Sequence, residues 1–168
     1  MNTSRPETVV SDSSVLIDLC KLDLLPLFFD LPRDFLVPLA VWEELDAHKR
    51  QLAPFVQKSR LQIDDTVSLA TAHGLQEKHG RLSLPDCSAI LLAQKRGAIL
   101  LTSDKAMRKL AVAMRLECHR HKWAFLEIFA AFPHEKATLR EKAIALNHIN
   151  PKLAIPPVIF ADLLNALK

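Results

Sequence analysis

Glycine is scarce in this chain: Gly74, Gly80 and Gly97 are the only three among 168 residues. Enzymes that cradle the phosphates of a nucleotide use glycine-rich loops such as GxGxxG or GxxxxGKS. Neither motif can be written with glycines at these positions. The sequence therefore argues against most dehydrogenases and P-loop enzymes.

Cysteine and histidine lack the spacing of familiar metal sites. Cys20, Cys87 and Cys118 are widely separated and form no CxxC pair, which argues against a disulfide framework and a thiolate zinc site. The seven histidines include no HExxH motif. We interpret His119 and His121, which are two residues apart, as part of a solvated basic turn.

Long apolar runs are absent as well. No stretch approaches the roughly 20 apolar residues that span a bilayer, and residues 1–12 have no secretory signal pattern. At 49% hydrophobic and 24% charged residues, the chain can bury one substantial core. We expect a single cytoplasmic domain over residues 1–168, without membrane contact.

The net charge of +3 is compatible with a phosphate-bearing partner, but many proteins without such a partner have a similar charge. Net charge alone therefore does not identify the partner.

Short apolar strands alternate with helical stretches. The pattern predicts strands at 8–11, 35–37, 98–102 and 116–119, while 61–63 could be a strand or part of a helix. Helices are predicted at 13–25, 39–50, 66–79, 83–95 and 104–114, at 134–148, and from 156 onward. Strands that are apolar throughout and alternate with helices predict an α/β fold with a parallel sheet covered on both faces.

Two acids lie just after predicted strands. Asp12 comes after the first strand and Asp104 after the strand at 98–102, at the sheet edge where open parallel sheets bind ligands. Each also suits a helix N-cap, and taken singly that structural role is favoured.

Helical phase adds two more acids. Asp86 lies in phase with Ala89 and Ile90, which turns it towards the sheet, although Ser83-x-x-Asp86 also resembles a capping box. In the helix predicted at 39–50, Glu44 falls close to the buried stripe and Glu43 lies nearly opposite. The alternative for Glu44 is a surface acid.

These four acids suggest a cation site. Two carboxylates about 4 Å apart repel by roughly 4 kcal/mol at an effective dielectric near 20, so a cluster must take up protons or bind a cation. Carboxylate oxygens select Mg²⁺ or Mn²⁺. Hydrolysis of a phosphodiester is the reaction that such a site predicts.

Four segments resemble, in order and spacing, the motifs of PIN domains: VSDSSVLI at 10–17, VPLAVWEEL at 37–45, DCSAI at 86–90 and LTSDK at 101–105. The resemblance covers residues 9–123. It implies a three-layer αβα fold with about five parallel strands, and Mg²⁺- or Mn²⁺-dependent cleavage of RNA. It also implies a homodimer, and often the toxin of a toxin–antitoxin pair, with an antitoxin protein as partner.

Carried over by position, the resemblance makes Asp12, Glu44, Asp86 and Asp104 the metal ligands. Ser14 and Ser103 would support them by hydrogen bonds. Many relatives have a further acid just after the fourth, where this chain has Lys105 and Ala106. The resemblance therefore leaves a second metal ion open.

Two further regions could contact partners. Lys105, Arg108 and Lys109 follow Asp104 and could bind the RNA backbone, although a solvated helix face is an equal alternative. Residues 124–168 form a helical extension to a core at about 8–123. The apolar face predicted for its last helix fits core packing better than a groove for a partner.

The sequence is compatible with three functions. A metal-dependent endoribonuclease is the leading one, either as a toxin or in RNA processing. A catalytically silent module that binds RNA or protein is the second. The third is a receiver-like phosphoacceptor domain that uses Asp64, Asp65, Thr102 and Lys105.

Overall fold

A parallel sheet of five strands forms the centre of the computed structural model, which describes residues 7–149, 161–162 and 165. The strands are β1 Thr8–Ser11, β2 Asp34–Pro38, β3 Leu61–Asp64, β4 Ile99–Leu101 and β5 Cys118–His119. In space they follow the order β3-β2-β1-β4-β5, and every neighbouring pair is parallel. The predicted α/β fold is confirmed, and residues 61–63 belong to a strand.

The strands form where the chain is apolar on both faces. Val9, Val10, Val37, Leu100 and Leu101 are fully buried. Such strands cannot face water on either side, so helices must cover both faces of the sheet. This requirement gives the fold its three layers.

The strand order fixes where a ligand can bind. From β1 the chain moves outward to β2 and β3, and then returns to the other side of β1 to form β4 and β5. As a general rule, right-handed crossovers place connecting helices that run in opposite directions along a sheet on opposite faces. Between β1 and β4 the direction reverses, which opens a crevice beyond the carboxyl ends of these strands, the usual ligand site of such sheets.

The helices of the described residues cover the sheet and continue beyond it. They are α1 Ser13–Lys21, α2 Leu25–Phe29, α3 Leu39–Glu44, α4 Lys49–Gln57, α5 Leu69–Lys78, α6 Leu84–Arg96, α7 Lys105–Ala113, α8 His121–Ala131 and α9 Lys136–Ile149. Helix α6 packs on β1, β2 and β4 and contacts α5 and α7, whereas α8 contacts α2 and α9 contacts α1.

Two predicted helices are shorter than expected. The helix predicted at 13–25 ends at Lys21, because Asp23 has a left-handed backbone with φ of 53° and a new helix starts at Leu25. The helix predicted at 39–50 ends at Glu44 and is followed by a 3-10 turn at Asp46–His48. The end of α6 is as predicted, since Gly97 closes it with φ of 59°.

The extension after the sheet is helical as far as it is described. Helices α8 and α9 cover most of residues 121–149. The predicted last helix, from 156 onward, lies outside the described residues apart from 161–162 and 165. Among the helices described, none has the length and apolar character needed to cross a membrane.

Candidate active site

Asp12 lies at the centre of a hydrogen-bond network in the crevice between β1 and β4. Its backbone N–H donates to the carbonyl of Leu101 at 3.1 Å, which extends the pairing of the two strands by one residue. Its carboxylate is 4% exposed and accepts hydrogen bonds from Val15 N–H at 3.0 Å, from Ser14 Oγ at 3.0 Å and from Thr102 Oγ1. Asp12 therefore caps α1 and also anchors the crevice.

Burial has a chemical consequence for this acid. Desolvation raises the pKa of Asp12 above its usual value, and this outweighs the opposing hydrogen bonds from Thr102, Val15 and Ser14 and the nearby His121. A buried carboxylate with a raised pKa gains more than an exposed one from a positive charge beside it. Asp12 is therefore well suited to hold a cation.

Thr102 joins Asp12 to Asp104, a role that the sequence did not predict. Its hydroxyl is fully buried, donates to Asp12 Oδ2 and accepts the backbone N–H of Asp104 at 3.1 Å. The only signal for it was its place between a strand and Asp104 in the LTSDK motif. Asp104 itself is exposed, and its carboxylate accepts from Met107 N–H at 2.7 Å as the N-cap of α7.

Glu44 is connected to the same strand end through a serine. Ser13 follows Asp12 directly, and its hydroxyl donates to Glu44 Oε2 at 2.8 Å. Glu44 is exposed at the last turn of α3. Its neighbour Glu43 instead lines a separate hollow of about 660 Å³ with Asp64 and Asp65. Glu43 and Glu44 are both exposed, so Glu44 does not lie on the buried stripe that helical phase predicted, and the two acids differ in their neighbours rather than in burial.

Asp86 has the contacts of a helix cap. Its Oδ2 accepts the backbone N–H of Ser83 at 2.8 Å, and Ser83 Oγ accepts the backbone N–H of Asp86 at 3.2 Å. This is the capping box that the sequence offered as the structural alternative. Asp86 is half-buried at the start of α6, the helix that packs on β1, β2 and β4.

The four acids differ in how closely the structure joins them. Asp12, Glu44 and Asp104 are linked through Ser13 and Thr102, whereas the described hydrogen bonds of Asp86 stay within its own helix start. Within residues 7–149, 161–162 and 165, no three acidic, histidine or cysteine side chains stand close enough to form a metal-binding group. A role for all four as ligands stays a prediction.

Ser14 and Ser103 have different partners. Ser14 donates to both carboxylate oxygens of Asp12, as expected of a supporting residue. Ser103 instead forms a hydrogen bond with His121 Nδ1. Ser103 therefore connects the loop before Asp104 to the start of α8.

His121 is buried, so its interpretation as part of a solvated turn is wrong. Its side chain is 1% exposed, and Nε2 lies 2.9 Å from Asp18 Oδ2, whose side chain is 3% exposed. The two atoms are close enough for an ion pair, although the N–H does not point straight at the oxygen. Asp18 on α1 and Ser103 after β4 thus hold His121 from both sides.

Asp64 has a structural role that disfavours the phosphoacceptor hypothesis. It is buried, forms an ion pair with Arg96 and accepts hydrogen bonds from the N–H and hydroxyl of Thr66. Burial raises its pKa, but the bonds from Thr66 and Arg96 outweigh burial and leave the pKa below its usual value. A carboxylate engaged in this way is not free to attack a phosphate.

The lowered pKa predicts a pH-dependent contribution to stability. Ionised Asp64 stabilises the fold above the ordinary pKa of aspartate, near 4, and this stabilisation is lost as the pH falls through its lowered value. We expect Asp64→Asn to reduce the free energy of unfolding by about 1–2 kcal/mol at pH 7, an amount discounted for the partly exposed Arg96. Urea unfolding at pH 7 and near pH 3 measures this, and an equal loss at both pH values would contradict it.

The fold and these acids define a class: an α/β protein with a parallel sheet and an acidic crevice where the strand order reverses. A family model described as PIN domain matches residues 8–127, which is more than two thirds of the chain. The chain therefore belongs to the PIN-domain family, whose members are generally nucleases. The search of curated proteins found no match to the chain.

Proposed function

We propose that this protein is an endoribonuclease that depends on Mg²⁺ or Mn²⁺ and hydrolyses phosphodiester bonds of RNA. The observation that carries the proposal is Asp12: a buried acid with a raised pKa, at the point where the strand order reverses, tied to Asp104 through Thr102. The simplest test is cleavage of labelled RNA by the purified protein in Mn²⁺ and in EDTA. Cleavage that continues in EDTA contradicts the proposed metal dependence.

The residues present fit a hard divalent cation. Every candidate donor at Asp12, Glu44, Asp86 and Asp104 is a carboxylate oxygen, the type that Mg²⁺ and Mn²⁺ prefer. Asp86 accepts the N–H of Ser83 with Oδ2 and could bind a cation with Oδ1, and even full loss of such a helix cap would cost only about 1 kcal/mol. That cost is small beside the attraction of a carboxylate for a divalent ion.

The residues around a bound cation would have distinct roles. A bound cation would supply activated water and stabilise negative charge on the phosphate. Ser14 and Thr102 hold the carboxylate of Asp12 in one orientation, while Ser13 orients Glu44. Because the bonds from Thr102 to Asp12 and from Ser13 to Glu44 connect distant parts of the chain, Asp12 and Glu44 would keep their positions while a substrate binds.

Cation binding predicts a gain in thermal stability. At a Mn²⁺ concentration about 100 times the dissociation constant, binding adds roughly 2.7 kcal/mol and should raise the melting temperature by about 5–10 °C. Asp12→Asn should lose most of this shift, whereas Asp30→Asn should keep it, because Asp30 is an exposed acid that precedes β2 at the opposite edge of the sheet. Differential scanning fluorimetry measures all three proteins. Equal shifts in all three would contradict a site at Asp12.

A catalytically silent RNA-binding module is the second candidate. It is favoured by the engagement of Asp86 in its capping box and by the separation of the acids within the described residues. RNA binding without Mn²⁺-dependent turnover would support it over the nuclease.

The biological setting is also a proposal. We propose a cytoplasmic protein that acts as a homodimer and, if it is a toxin, is neutralised by an antitoxin protein. A small open reading frame next to the gene, whose product co-purifies with this chain and suppresses cleavage, would support the toxin. Normal growth of cells that express the active protein alone would contradict it.

A further inference from the structure

A groove of about 920 Å³ begins at Asp104 and runs along α7. One wall is the turn between α5 and α6, and the other is the exposed side of α7. The residues that line it are His79, Gly80, Arg81, Leu82, Asp104, Lys105, Ala106, Lys109, Leu110 and Ala113. Neither the residues from the turn nor their combination with α7 could be predicted from sequence.

The charges of this groove are mostly positive. Arg81 comes from the turn, and Lys105 and Lys109 come from α7. The two lysines are four residues apart, so they lie on the same side of the helix and are both exposed. Asp104 is the one acid among the lining residues, and it stands at the start of α7, beside the candidate active site.

Arg108 does not contribute to this groove. It is half-buried and close enough to Cys118 and Arg120 to affect their pKa values, which places it towards β5. Of the three cations that the sequence offered for RNA binding, Lys105 and Lys109 therefore share a surface with Arg81, and Arg108 lies apart from them.

We propose that this groove binds the backbone of single-stranded RNA on one side of the bond to be cleaved. The inference rests on the proposed function, since it uses Asp104 to define the catalytic end of the groove. Lysine and arginine on two facing walls match the repeating negative charge of a phosphate backbone. The groove is lined by His79 but by no Trp, Phe or Tyr, so contacts to the backbone dominate over stacking on bases.

The position of the groove favours RNA over an acidic peptide. An RNA strand whose phosphates contact Arg81, Lys105 and Lys109 would place its next phosphodiester at Asp104. The acids of the crevice lie at that position. An acidic peptide contains no phosphodiester on which the acids of the crevice could act, so the continuity of the groove with the site has a purpose only for RNA. The groove therefore serves as the approach to the site.

Charge reversal tests the proposal by binding alone. The full-length chain is titrated in EDTA against a labelled single-stranded RNA of mixed sequence, and fluorescence anisotropy gives the dissociation constant over a range of salt concentrations. We expect Arg81→Glu/Lys109→Glu to weaken binding at least about 10-fold and to reduce the slope of log K against log salt by about 1.4, as two phosphate contacts are lost.

A second pair of substitutions controls for the change in net charge. Lys58→Glu/Arg140→Glu changes the total charge by the same amount at exposed positions of α9 and the end of α4, outside the groove. The proposal is overturned if the groove variant binds like the parent, if the control pair weakens binding equally, or if the groove takes a labelled polyglutamate peptide in preference to RNA.

The design separates this inference from the proposed function. If the parent binds RNA through the groove but does not cleave it in Mn²⁺, the groove stands and the nuclease activity fails. If the parent cleaves RNA while the reversal leaves binding unchanged, the nuclease activity stands and the groove fails.

Discussion

Asp12→Asn should reduce the rate of Mn²⁺-dependent RNA cleavage by about 10³-fold while leaving the protein folded. Removing one negative charge about 4 Å from a cation costs roughly 4 kcal/mol of interaction, which corresponds to about three orders of magnitude in rate. The variant should still fold for two reasons. Asparagine is uncharged, so the free-energy cost of burying an ionised carboxylate is removed, and its side-chain oxygen can still accept the N–H of Val15. Single-turnover cleavage at saturating Mn²⁺ measures the effect.

Two comparisons make the Asp12 result specific. The Asp30→Asn variant should cleave RNA at the parent rate, because Asp30 is an exposed acid that precedes β2 at the opposite edge of the sheet. Circular dichroism and the melting temperature without metal should show that Asp12→Asn is folded. A folded Asp12→Asn variant with parental activity would contradict the assignment of Asp12 to the catalytic centre.

Breaking the buried pair of Asp18 and His121 should cost about 3–5 kcal/mol of the free energy of unfolding. Both side chains are almost fully buried with His121 Nε2 and Asp18 Oδ2 2.9 Å apart, and removing one partner deprives the other of this buried polar contact. His121→Phe keeps an aromatic ring but loses the bond to Ser103, and Asp18→Leu removes the carboxylate but adds bulk, so the coupling between the two changes reports on the pair more directly than either single loss. Urea unfolding of each single variant measures it.

The double variant and an exposed pair complete this experiment. Asp18→Leu/His121→Phe should be less destabilised than the sum of the two single changes, because the contact between the two side chains can be lost only once. Glu117→Gln, which breaks the exposed pair with His119, should change stability by less than about 1 kcal/mol. Additive losses in the double variant would show that Asp18 and His121 do not depend on each other.

The parts of the fold that are encoded locally could be predicted from sequence. Apolar runs such as 8–11 and 98–102 identify strands, and Gly97 marks the end of α6. The placement of Asp12 and Asp104 follows from the same signals, because Asp12 directly follows β1 and Asp104 lies in the loop just after β4. Parallel strands then bring the two acids to one edge of the sheet without any further information.

Contacts between distant parts of the chain could not be predicted in this way. Thr102 meets Asp12 across 90 residues, and the pairing of His121 with Asp18 depends on how α8 returns to α1. A histidine between charged neighbours is read as exposed unless its buried partner is known. Local patterns contain no information about that partner.

Arg108 is a different case, because its placement could have been found. Met107 and Ala111 form the buried side of α7, and Lys109 lies opposite them while Arg108 lies at the flank. Helical phase of the kind that separated Glu44 from Glu43 would have divided these cations as well. The contribution of Arg81, on the turn before α6, needed the assembled structure.

The central position of β1 has a consequence for how the protein is made. Asp12 is synthesised about 90 residues before its partners Leu101 and Thr102, and β1 pairs with β4 only after that later segment is available. A growing chain that ends before β4 leaves one edge of β1 without its neighbour and the carboxylate of Asp12 without Thr102. The crevice is therefore completed only after β4 has been synthesised, and no assembled site exists while the chain ends before that strand.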